Sequence, residues 1–97
     1  MLQYVIIAQD GKDEAALERR MSARPDHLAG AKSLKEKGQF ILGGATLDEN
    51  ERMNGSVMVL QFENEEAFKE WYAHEPYIHQ GVWKVIEIKR FKVANVQ

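Results

Sequence analysis

The sequence contains no cysteine. Disulfides, zinc–thiolate sites, iron–sulfur clusters and a cysteine nucleophile are therefore excluded. It also lacks a surplus of charge: 13 Lys and Arg face 15 Asp and Glu, a formal net charge of −2. Nothing is left over for a broad basic face, so no nucleic-acid partner is expected. The apolar run in residues 1–10 is too short to span a membrane, and it has no basic leader of the secretory kind. The expectation is a cytoplasmic protein with no membrane partner. No glycine-rich dinucleotide or phosphate loop occurs, and no serine nucleophile elbow. Repeats, linkers and low-complexity segments are missing too. Of the three histidines, His74 and His79 are five apart, off the i, i+4 spacing of a helical metal pair. No metal and no cofactor is expected.

What is present is an ordinary globular composition: 97 residues, 44% apolar and 29% charged. That length makes one domain, residues 1–97. A chain so short buries well under ~70% of its unfolded surface. A site would therefore lie in a surface groove or at a subunit interface.

Residues 2–9 are rich in Tyr, Val and Ile and read as a strand, ended by Asp10-Gly11. Residues 13–21 read as a helix with Ala16, Leu17 and Arg20 near one face. Pro25 then starts a new helix or bends a long one. His27, Ala31 and Leu34 form one stripe of the following helical stretch, which Gly38 stops. Residues 39–47 read as a second strand. Its Gly43-Gly44 pair signals a bulge or a close approach to the backbone. Residues 48–55 form a polar connection turning at Asn54-Gly55, and 56–62 a third strand. A helix over 63–73 is capped by Asn64, residues 74–77 connect, and 82–92 form the last strand. The order β-α-β-β-α-β is the ferredoxin-like arrangement: a four-stranded antiparallel sheet with both helices on one face, in the α+β class.

Two helices cover one face of such a sheet. A wet second face would demand clean apolar–polar alternation. Instead Val57, Met58, Val59 and Leu60 are consecutive, and Tyr4 to Ile7 and Phe40 to Leu42 behave alike. At ~25 cal/mol per Å² of apolar surface, leaving that face in water forfeits several kcal/mol. A homodimer packed sheet on sheet is expected; helices or loops covering both faces are the plainer alternative.

His27, on the sheet-facing stripe and in the first turn after Pro25, is the first candidate for chemistry. The positive end of a helix dipole there disfavours imidazolium, and a carboxylate partner favours it. A histidine balanced between the two can act as a general base. Its plain alternative is a half-buried histidine bonded to a neighbour. Glu75, between Ala73 and Pro76, can orient His27 or take a proton; otherwise it is a solvated loop acid. Arg24 can bind a substrate carboxylate or phenolate through its planar fork, or simply sit at a helix junction. Tyr77, Trp83, Phe40 and Gly43-Gly44 can line a small aromatic pocket, or else belong to the core.

Four stretches together carry a family resemblance: Tyr4 to Asp10; Arg24-Pro25-Asp26-His27-Leu28; Gly43-Gly44; and Trp71 to Tyr77 with Gly81-Val82. Over nearly its whole length the chain resembles the YciI-like (YCII-related) family. The resemblance implies a dimeric α+β barrel. It also implies an active site pairing the His of an Arg-x-x-His segment with the acid of an Asp-Pro-Tyr segment. These map onto His27 and Glu75, and the Glu departs from the pattern by one methylene. Some family members resemble dehydrochlorinases of chlorinated hydroxyhydroquinones.

The leading expectation is a small dimeric enzyme, of lyase or isomerase type. It would run cofactor-free acid–base chemistry, an elimination or isomerisation, on a small cyclic anion. His27 would move the proton, Glu75 would set its tautomer, and Arg24 would hold the anionic group beside Gly43, Gly44 and Tyr77. The alternatives are a non-catalytic module that binds a small-molecule ligand, and a dimeric-barrel oxygenase.

Overall fold

The computed structural model describes residues 1–97. Its elements run β1 (Leu2–Asp10), α1 (Ala16–Glu36), β2 (Phe40–Leu47), β3 (Met53–Phe62), α2 (Glu65–His74), α3 (Pro76–His79) and β4 (Trp83–Phe91). The strands form one antiparallel sheet in the order β2-β3-β1-β4, with the helices on one face. This is the ferredoxin-like fold. No helix is long and apolar enough to cross a membrane.

The inner face of the sheet carries the core. Tyr4 pairs with Leu60, Ile6 with Met58 and Ala8 with Ser56, all of them buried. Helix α1 lays Ala16, Arg20, Ala23, His27, Ala31 and Leu34 towards it, at steps of three and four residues. Helix α2 adds Phe68 and Trp71, with the Phe68 ring stacked 4.1 Å from Tyr4. Its N-cap is Asn64, whose side chain accepts from Ala67 N at 2.9 Å.

Helix α1 continues through Pro25, so of the two alternatives there the single long helix holds. Pro25 is exposed, and so is Met21 one turn earlier, so the carbonyl that loses its donor lies on the solvated side. The helix ends where Gly38 takes a left-handed φ of +72°. The hairpin turn is not at Asn54-Gly55, which lie inside β3. It is at residues 48–52, where Asp48 Oδ1 accepts from Asn50 N and Arg52 N, and Glu51 adopts φ +62°. Gly55 has another reason to be glycine. A Cβ there would come within 2.5 Å of the Ala8 carbonyl and 2.6 Å of Thr46 Oγ1.

The outer face is apolar at its centre. Val5 pairs with Val59 and Ile7 with Val57, and Leu42 and Val85 flank them. Ile7, Leu42 and Val85 are 39%, 53% and 57% exposed. The run Val57 to Leu60 thus divides as its doubly apolar pattern requires, Met58 and Leu60 inward, Val57 and Val59 outward.

Candidate functional site

The site lies between α1, α3 and the β2–β3 edge. Helix α1 supplies Arg20, Arg24, His27 and Ala31; β2 supplies Phe40, Gly43 and Gly44; β3 supplies Ser56 and Met58; α3 supplies Tyr77. They enclose a cavity of about 100 Å³. That is below the ~300–1,000 Å³ of drug-sized ligand pockets and suits one small ring. No carboxylate lines it.

His27 and Glu75 meet at one wall. His27 Nδ1 lies 2.5 Å from Glu75 Oε1, with the side chains 12% and 3% exposed. Against an ionised carboxylate, which only accepts, Nδ1 is the donor, and in the neutral imidazole that tautomer leaves the lone pair on Nε2. Local sequence sets this geometry. Pro76 starts α3, and Glu75 is its N-cap, its Oε1 also accepting from Tyr77 N at 3.1 Å. The additional methylene of Glu therefore still reaches His27 while capping the next turn. The connection expected over residues 74–77 is in fact this cap and the start of a helix.

One expected influence on His27 is absent. With Pro25 inside α1, His27 stands eleven residues after the first helical residue. The dipole effect is confined to the terminal turn, so it does not act there. Tyr77 surrounds the imidazole instead: the rings stack at 3.9 Å and 12°, and Trp83 stands edge-on at 6.2 Å.

Arg24 reaches the cavity half-buried and makes no salt bridge. Gly43 faces the cavity, where a Cβ would stand 3.0 Å from the Phe40 ring. Gly44 lines it through its backbone only: a Cβ there would meet nothing within 4 Å. The two irregularities of strand pairing fall between Phe40 and Leu42 and between Thr46 and Leu47, neither of them at the glycines.

A buried polar network beside the cavity escaped the sequence reading. Arg20 Nη1 bonds both Asp10 oxygens, at 2.9 and 3.0 Å, and Nη2 donates to Ser56 Oγ at 2.8 Å. Trp83 Nε1 donates to the same Oγ at 3.2 Å. Burial pushes the Asp10 carboxyl above its ordinary value, against the pull of Arg20. The Arg20 guanidinium also stands over the Tyr77 ring at 4.7 Å. The signal was present: Arg20 is a charge on the buried stripe of α1.

Fold and site define a small α+β domain with a histidine–carboxylate pair beside a cation-lined pocket. The chain belongs to the YCII-related domain family, whose sequence profile matches residues 2–92. The protein YciI of Escherichia coli is 37% identical over 95 residues, covering 92% of this chain and 95% of that one. The solved structure of a 5-chloro-2-hydroxyhydroquinone dehydrochlorinase, TftG from Burkholderia phenoliruptrix, in complex with 2,5-dihydroxybenzoquinone, superposes with a TM-score of 0.78. It is 22% identical, with 95% of each chain covered. A dimeric ferredoxin-like protein of unknown function from Jannaschia gives 0.59 at 15% identity, over 96% of this chain and 100% of that one.

Proposed function

We propose that this protein is a cytoplasmic homodimeric enzyme that moves a proton on a small cyclic anion without a cofactor, in an elimination or isomerisation. The observation that carries the reading is the His27–Glu75 pair at the wall of a cavity lined by arginine and no carboxylate. Nε2 of His27 takes a proton from a substrate carbon. Glu75 stabilises the imidazolium that results and holds the ring in place. Arg24, free of any carboxylate partner, binds the anionic group. The wall of Phe40, Gly43 and Tyr77 selects a flat ring.

The homodimer rests on the outer face of the sheet, where Val5 and Val57 are half-buried and Ile7, Leu42 and Val85 exposed. The dimeric state of the ferredoxin-like neighbour supports it.

The substrate class follows the ligand in the TftG complex, a hydroxylated quinone. The test is titration with 2,5-dihydroxybenzoquinone, followed by chloride release from 5-chloro-2-hydroxyhydroquinone. Wild type should bind the first and turn over the second or a close analogue, and His27→Gln should bind without turnover. Failure of wild type to bind any hydroxylated quinone would overturn the reading. Binding with no turnover of any analogue would leave a ligand-binding module.

A further inference from the structure

Tyr77 is 1% exposed, yet its hydroxyl bonds to no protein group. Its backbone is engaged at both ends: the N–H donates to Glu75 Oε1 and the carbonyl accepts from Val82 N. The one fully enclosed side-chain polar atom without a partner is Arg20 Nε. The Tyr77 oxygen is not sealed in that way, and Tyr77 is one of the residues that line the cavity. A buried tyrosine ordinarily finds a partner for its hydroxyl. Here the partner's place is the cavity, beside the imidazole that stacks on the ring.

We propose that Tyr77 is a second catalytic residue, whose hydroxyl donates a hydrogen bond to the substrate oxygen that becomes negative when His27 removes the proton. The inference rests on the acid–base reading of the site. The substrate C–H proton goes to Nε2, and the electron pair it leaves moves onto a conjugated carbonyl oxygen. Tyr77 and Arg24 hold that oxyanion. The pair then returns, either taking the proton back from Nε2 at another carbon or expelling a leaving group as its anion. No oxidant or reductant is needed.

Three features suit Tyr77 to this role. Its ring packs against two side chains of α1, the Arg20 guanidinium at 4.7 Å and the His27 imidazole at 3.9 Å, so the donor is placed before substrate arrives. Burial pushes its phenol above the ordinary value, which keeps it a proton donor. The charges of Arg20 and Arg24 act the other way and make the O–H more polar. Base and donor lie side by side, as proton abstraction next to a carbonyl demands.

The probe is 4-nitrophenolate, whose visible absorption responds to hydrogen bonds on its oxygen. Wild type should bind it with a shifted band. Tyr77→Phe, which keeps the ring and its stack, should bind about 10- to 100-fold more weakly and lose the shift. Arg24→Met should weaken binding but keep the shift. In wild type carrying 13Cζ-tyrosine, the Tyr77 resonance should move on binding while those of Tyr4 and Tyr72 stay. Tyr77→Phe binding with unchanged affinity and band, or a stationary Tyr77 resonance in bound wild type, would overturn the role of Tyr77 and leave the anion site standing. No binding to wild type would overturn both.

Discussion

The rings of His27 and Tyr77 lie face to face, 3.9 Å apart and 12° from parallel. Arg20, seven residues before His27 on α1, reaches the same tyrosine ring at 4.7 Å. Seven residues are two helical turns, about 10.5 Å. The Tyr77 ring touches both. Glu75 completes the arrangement by bonding both His27 Nδ1 and the Tyr77 backbone. One short helix thus fixes the base, its orienting acid and the neighbouring phenol against α1.

Replacement of His27 separates structure from chemistry. His27→Ala leaves a carboxylate that is 3% exposed with one partner fewer. The cost should be about 1–3 kcal/mol. In a domain this size each kcal/mol lowers the melting temperature by roughly 4–8 °C. His27→Gln, which can still donate to Glu75, should lose less stability and as much activity. Thermal unfolding of both variants checks this.

The buried pair of Asp10 and Arg20 should be costly to break and cheap to replace. Arg20→Met alone leaves Asp10 charged in a site 3% exposed and should cost about 3–5 kcal/mol. Arg20→Met with Asp10→Leu should recover most of that loss. Urea unfolding of the single and double variants measures both.

Alkaline pH should reach Tyr77 late. Its folded-state pKa lies above the value of 10.0 for a free phenol, chiefly because it is buried. Its contribution to stability is therefore whole below pH 10 and is lost as pH rises through the folded value. An absorbance titration of tyrosinate should show Tyr77 ionising together with unfolding. Tyr77→Phe should remove that contribution to the alkaline limb.

The outer face should govern assembly. Val57→Lys puts a charge at the centre of the apolar strip formed by Ile7, Val57 and Val59, without touching the inner core. Light scattering should report a dimer for wild type and a folded monomer for the variant. A monomeric wild type at micromolar concentration would remove the sheet-on-sheet dimer.

The strands and the order of elements were legible because short apolar, β-branched runs such as Val57 to Leu60 and stops such as Gly38 are local signals. Pro25 left two alternatives open because its tolerance depends on which side of α1 faces water, a tertiary fact. Asn54-Gly55 misled because Gly55 answers to the carbonyl of Ala8, a strand away. At the site, His27, Arg24, Tyr77 and Glu75 stood out through motif and spacing. Asp10 and Ser56 did not: each looks like ordinary turn or strand chemistry until Arg20 joins them across 10 and 36 residues.

The most direct test of the central claim is the tautomer of His27, read from side-chain 15N NMR at neutral pH, with His27→Gln identifying its signals among the three histidines. The expected result is a proton on Nδ1, held by Glu75, and a bare Nε2. In Glu75→Gln this preference should weaken. A neutral His27 with its proton on Nε2 in the wild type would contradict it, because the nitrogen offered to the cavity would then have no lone pair to accept a proton.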